Sequence, residues 1–204
     1  MKYELHHEYV SIGSQNSSHR IILLHGWGAN ADDLLPLGKV IINNSLHKFE
    51  LISIQAPDIR FNDNGRQWYS LFPPNWNEAS IAADNLLNTL QKLDKTHIPL
   101  KKSILLGFSQ GAAMALDSGL RLDIGLVISC SGYAHPNWAP LKNIPVLLSH
   151  GLQDDVVPSS ASKDILEKLN KQSNSNCELY EFNCSHSIHP DFISVIKNKI
   201  EEIF

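Results

Sequence analysis

Gly107-Phe108-Ser109-Gln110-Gly111 is the stretch that decides the fold. It follows an apolar run, Ser103 to Leu106, and precedes a small-residue helical pattern, Ala112 to Leu116. Strand, sharp turn and helix in that order are the context of a nucleophile elbow. The serine takes a turn too tight for ordinary side chains, and the flanking glycines let strand and helix approach without a Cβ clash. The Ser109 hydroxyl is then presented at the carboxyl edge of a sheet. The backbone N–H of Gln110 falls at a helix N-terminus, where donors lack partners and negative charge is favoured.

Outward from the elbow, short apolar runs alternate with helical patterns. Toward the N-terminus these are strand Ile21–Leu24, helix Ala31–Ile42, strand Leu51–Ile54 and helix Glu78–Leu93. Helix 110–120 follows the elbow. Then come strands Ile124–Ser129 and Val146–Ser149, helix Ser160–Leu169, strand Glu178–Phe182 and a closing helix Asp191–Ile203. Such alternation predicts βαβ units and a mostly parallel sheet covered by helices on both faces. Tyr3 to Ile12 is expected to add an antiparallel edge strand. No repeat, linker or low-complexity tract breaks the pattern, so residues 1–204 read as one domain.

The composition narrows the function classes. With 43% apolar and 19% charged residues, the chain reads as an ordinary globular protein. A net charge of −4 without a basic run argues against nucleic acid, which needs a Lys/Arg surface. No apolar stretch is long enough to span a membrane. Met1 to His7 carries no apolar signal core, which predicts the cytoplasm. Cys130, Cys177 and Cys184 are odd in number and lack metal spacing, so they read as reduced packing thiols. His6-His7 reads as a surface strand, and no metal or cofactor site is expected.

Each role in serine catalysis has a candidate at a strand end, where sites lie in open α/β sheets. A serine hydroxyl needs an adjacent base, the base needs an orienting carboxylate, and the oxyanion needs donors. Asp154 and Asp155 follow strand 146–149, and an acidic turn alone does not choose between them. His186 and His189 follow the last strand and are equally open. The oxyanion candidates are the N–H of Gln110 and one from His25-Gly26-Trp27-Gly28. His25 itself is expected to brace that loop. The aromatic loop from Phe61 to Trp76, with Trp68, Tyr69 and Phe72, reads as an apolar substrate wall or as packing. Arg66 in the same loop reads as a holder of a loop carbonyl or a partner for a substrate carboxylate.

Taken together, the chain resembles the phospholipase/carboxylesterase family of α/β-hydrolases, relatives of the acyl-protein thioesterases. The resemblance rests on Leu24-His25-Gly26-Trp27-Gly28, Gln55-Ala56-Pro57, Gly65 to Ser70, Leu106 to Ala112, His150-Gly151 through Pro158, and Ser185-His186-Ser187-Ile188. It implies the α/β-hydrolase fold. By position it puts the nucleophile on Ser109, the acid on Asp154, the base on His186 and the oxyanion donors on the N–H groups of Trp27 and Gln110. Ser185 stands where relatives often have glycine, and the short chain implies missing lid insertions. The implied activity is hydrolysis of small to medium acyl esters or thioesters through an acyl-enzyme, without a cofactor. A thioesterase or lysophospholipase with a longer acyl chain is the alternative. A binding protein on a retired hydrolase fold is a third reading, disfavoured because every triad member is present. The sequence leaves a homodimer open.

Overall fold

The computed structural model describes residues 5–60, 65–171 and 176–204. Tyr3 and Phe61 lie outside the described residues. The elements are β1 (Tyr9–Ile12), β2 (His19–Leu24), α1 (Leu35–Ile42), β3 (Phe49–Ile54), β4 (Asp58–Arg60), β5 (Gly65–Gln67), α2 (Trp76–Asp94), β6 (Ser103–Phe108), α3 (Gln110–Gly119), β7 (Leu126–Cys130), β8 (Val146–Gly151), α4 (Ser160–Lys171), β9 (Cys177–Phe182) and α5 (Pro190–Ile203). The large sheet runs β1-β3-β2-β6-β7-β8-β9. All its pairs are parallel except β1 with β3, where Tyr9 faces Ile54 and Ile12 faces Leu51. This is the mostly parallel α/β-hydrolase sheet, with an antiparallel edge.

The central strands are buried throughout except at half-buried Phe108, the last residue of β6, as apolar strands between two helix layers must be. Side chains alternate between the faces. Ile22, Leu24, Leu105, Val127 and Leu148 pack with α2, α3 and α4. Ile21, Leu23, Ile104, Leu106 and Ile128 pack with α1 and α5 through Ile41, Phe192, Ile196 and Ile200.

Three expectations shift. The first helix begins at Leu35 rather than Ala31, with residues 31–34 in a turn. Pro36 has no N–H to donate to the preceding turn and is tolerated only at a helix start. A small hairpin, β4 with β5, pairs Ile59 with Arg66 and was not read from the sequence. His6-His7 precedes β1 instead of lying on a surface strand. His7 is buried, 2.8 Å from Thr89 Oγ1 and against the Trp68 ring.

Candidate active site

Ser109 sits between β6 and α3 with φ +54°, a left-handed conformation that costs a non-glycine residue energy and occurs where surroundings impose it. Its N–H donates to Cys130 O at 2.9 Å, and its carbonyl accepts from Ala112 and Ala113 in the first turn of α3. The neighbouring glycines are required by space. A Cβ on Gly107 would overlap the carbonyl of Gly111, and one on Gly111 would overlap the carbonyls of Leu24 and His25. The elbow is therefore clamped between β2 and α3. Gln110 is the first residue of α3, where a backbone N–H has no acceptor within the helix.

The acid and base candidates separate clearly. Asp154 follows β8 with a fully buried side chain. Its Oδ1 accepts from Val156 N–H at 3.0 Å and Val157 N–H at 2.9 Å, and its Oδ2 accepts from His186 Nδ1 at 2.7 Å. Burial works to raise this carboxyl. The bonds from Val157, His186 and Val156 outweigh it and hold Asp154 below the ordinary carboxylate value. Asp155 is exposed. The His186 ring lies 4.8 Å from that of Phe108, next to Ser109 in the chain. His189 is occupied elsewhere: it stacks on Phe182 at 4.7 Å and caps α5 by accepting from Asp191 N–H.

His150 supports the acid loop from behind. It is buried, its Nε2 donates to Val157 O at 2.8 Å and its Nδ1 accepts from Ser162 Oγ at 2.6 Å. His25 braces the loop after β2. Its Nε2 accepts from Ala56 N–H at 3.1 Å, so Nδ1 carries the proton donated to Gly26 O at 2.8 Å. Burial lowers its pKa, in keeping with a neutral ring. Trp27 lies in the following turn with Gly28 at φ +80°. The β4–β5 hairpin fastens this turn: Gly28 N–H donates to Arg66 O and Arg66 N–H to Ala29 O, both at 2.8 Å.

The aromatic loop divides. Trp68 and Tyr69 are buried in the core, which favours the packing reading over the substrate wall for both. Trp68 Nε1 donates to His25 O at 2.9 Å instead. Phe72 is 73% exposed and meets Trp27 edge to face at 5.4 Å. Leu152 and Val156, on either side of Asp154, are also exposed. The Arg66 guanidinium reaches Pro57 O at 3.5 Å, a loop carbonyl.

Two groups escaped sequence reading. The Gln110 side chain joins the elbow to the aromatic loop, accepting from Trp68 N–H at 3.0 Å and donating to Tyr69 O at 2.8 Å. A second Asp–His pair, Asp117 with His135 at 2.7 Å, lies behind it. Nothing in the spacing of a helical aspartate and a loop histidine announces that contact.

A carboxylate, an imidazole and a strained serine thus stand at the carboxyl ends of β8, β9 and β6. Residues 5–204 match the Phospholipase/Carboxylesterase family. The chain belongs to that family. It is 26% identical to acyl-protein thioesterase 1 of Saccharomyces cerevisiae over 221 aligned positions, covering 95% of this chain and 96% of the relative. The crystal structure of esterase PE8 superposes with a TM-score of 0.85 at 29% identity, covering 97% of this chain and 98% of that one. Zea mays acyl-protein thioesterase 2 shares the fold at a TM-score of 0.75 and 21% identity, covering 98% and 100%. Like other members of the phospholipase/carboxylesterase family, the chain is a carboxylic ester hydrolase. Among the described residues no helix is long and apolar enough to cross a membrane.

Proposed function

We propose that this chain is a cytoplasmic serine carboxylesterase, folded as one domain over residues 1–204, acting on small to medium acyl esters or thioesters. Ser109 attacks the carbonyl carbon as His186 takes its proton. The N–H groups of Trp27 and Gln110 receive the oxyanion. His186 returns the proton to the departing alcohol or thiol, leaving the acyl group on Ser109. Water, deprotonated by His186, then adds to the acyl carbonyl, and the acid leaves as Ser109 regains its proton. Asp154 fixes the tautomer that leaves His186 Nε2 free to accept.

The observation that carries this reading is the 2.7 Å bond from His186 Nδ1 to Asp154 Oδ2, beside a serine held at φ +54°. A fluorophosphonate probe is expected to label Ser109, and Ser109→Ala to lose turnover by about 10⁴-fold or more. Labelling at another serine, or normal turnover in the variant, refutes the assignment. Absence of both labelling and turnover in the unmodified protein would leave the retired-fold binding protein as the alternative.

A longer-chain thioesterase or lysophospholipase is favoured by the similarity to yeast acyl-protein thioesterase 1 and by the exposed apolar Phe72, Leu152 and Val156. p-Nitrophenyl esters from acetate to laurate, with an acyl-thioester alongside, separate the two. A kcat/KM that climbs to laurate supports the longer chain, and one that peaks at butyrate supports the esterase.

A further inference from the structure

Asp154 meets two imidazoles, one partly open and one sealed. Its Oδ2, which receives His186 Nδ1 at 2.7 Å, lies 3.4 Å from His150 Nε2. The His150 and Asp154 side chains are fully buried, whereas that of His186 is partly open. His150 is the next-to-last residue of β8, and the acid loop returns to its ring through Val157 O, 2.8 Å from Nε2. Asp154 Oδ1 accepts the Val157 N–H at 2.9 Å, so the two side chains grip Val157 at both of its polar groups.

The hydrogen on the near side of His150 is fixed by its partner. A carbonyl oxygen can only accept, so Nε2 carries a hydrogen whether the ring is neutral or charged. The far nitrogen, Nδ1, lies 2.6 Å from Ser162 Oγ. It accepts there in a neutral ring and donates there in a charged one. In both states the positive end of an N–H stands 3.4 Å from Asp154 Oδ2. That is longer than a good hydrogen bond, but in a site closed to water the dipole is weakly screened. Ser162, buried in the first turn of α4, steadies the ring from the other side.

The other titratable groups on the surrounding elements are exposed, neutral or turned aside. Glu181, opposite His150 on β9, is exposed and pairs with Lys163 of α4 at 3.1 Å. Asp155 and Asp164 are exposed. The Cys130 thiol at the end of β7 is pushed up to about 12 by burial and stays neutral. On the loop that carries His186, Cys184 is half-buried, and His189 is turned toward Phe182 and Asp191.

We propose that His150 is a positioning residue for the reaction: its Nε2–H aligns the Asp154 carboxylate and offsets part of its field, so that Asp154 orients His186 without locking it in the charged, inactive form. A buried carboxylate by itself stabilises a neighbouring cation and would hold the imidazolium. A second N–H beside the same oxygen weakens that hold. A charged His150 ring acts in the same direction, more strongly. The inference rests on Asp154 and His186 being the catalytic acid and base.

Two substitutions separate this electrostatic task from packing. His150→Gln keeps an N–H donor at the distance of Nε2, whereas His150→Leu keeps bulk and loses the donor. The pH dependence of kcat/KM for p-nitrophenyl butyrate is measured between about pH 5 and 9, where its acid limb reports the base of the free enzyme. Rates are normalised to the sites a fluorophosphonate labels at Ser109. Without the donor, Asp154 holds the His186 proton more firmly. The acid limb is expected to move up by about 0.5–1 pH unit in His150→Leu, the range of one neutral hydrogen bond, and to stay near the parent's in His150→Gln. A packing role lowers the labelled fraction and leaves the limb in place. An unmoved limb in His150→Leu, or an equal shift in both variants, overturns the proposal. Should His150→Leu not fold, His150→Asn, whose shorter amide reaches toward Ser162 and not Asp154, takes its place with the same outcomes. Normal turnover in His186→Ala overturns the acid–base reading and this inference with it. Loss of turnover there, with an unmoved limb at position 150, overturns this inference alone.

Discussion

The Gln110 side chain holds Tyr69 by its backbone: the amide nitrogen donates to Tyr69 O at 2.8 Å, while the amide oxygen accepts from Trp68 N–H. The residue after the candidate nucleophile thereby fixes a loop some forty residues away in sequence. Both loop groups are buried and have no water to turn to.

Gln110→Leu leaves those two backbone groups unsatisfied. The expected loss is about 2–4 kcal/mol of unfolding free energy, measured by urea denaturation. The backbone N–H of residue 110 survives the change. Fluorophosphonate labelling of Ser109 is therefore expected to persist in the folded fraction. A stability within about 0.5 kcal/mol of the parent would show that the amide is dispensable.

Paired substitutions separate the triad candidates. Asp154→Asn replaces an acceptor with a group that can donate, so His186 adopts the wrong tautomer, and kcat is expected to fall about 10⁴-fold. Asp155→Asn, on the exposed neighbour, is expected to stay within a few-fold of the parent. His186→Ala removes the proposed base and turnover with it. His189→Ala removes a helix cap and costs about 1 kcal/mol of stability while turnover remains. The reverse pattern in either pair refutes the assignment.

Gly151→Ala probes the loop that carries His186 without touching the triad. Gly151 ends β8, and a Cβ there would run into the carbonyls of Ser185 and Cys184. The loop must shift by several tenths of an ångström or more. Displacements of about 1 Å cost catalysis about 100-fold. Turnover is expected to drop by one to two orders of magnitude in a protein that still melts cooperatively. Unchanged turnover would show that the loop yields without moving the base.

Stability is expected to fall in mild acid because of His7. Burial, reinforced by the charge of His6, lowers its pKa from 6.5 to about 4. Between those values the unfolded chain binds a proton that the folded protein does not, so stability is present above pH 6.5 and lost as pH falls toward 4. The contribution is on the order of 3 kcal/mol at most. His7→Phe keeps a ring against Trp68, and Thr89 keeps its bond to Asn85 O. The variant is expected to show a flatter melting-temperature profile between pH 6.5 and 4. An unaltered slope would assign the acid sensitivity to other groups.

The legible parts of this chain were those set by local pattern. Ile21 to Leu24 and Ser103 to Leu106 announced buried strands because parallel strands between helices are apolar on both sides. Ser109 was visible because Gly107 and Gly111 have no substitute at that spacing. Helix α1 was read too long because the hydrophobic period continues to Ala31, whereas Pro36 decides where the hydrogen bonds begin. The burial of Trp68 and Tyr69 was hidden because aromatic residues serve packing and binding alike. Their fate depends on Gln110, Tyr133 and His135, brought together only by tertiary structure. His7 was invisible for the same reason.

The distribution of the candidate groups over β2, β6, β8 and β9 ties activity to the order of assembly. A chain that has built the sheet only as far as β8 holds the elbow and the acid loop but no base. The base reaches the acid loop only once the parallel pairings from Val146 with Cys177 through Gly151 with Phe182 have closed, against the entropy of the loop between them. Ester turnover during refolding should therefore lag behind the recovery of helical circular dichroism. A half-folded molecule exposes a serine but cannot spend it, so the last strand to dock acts as the safety catch on the nucleophile.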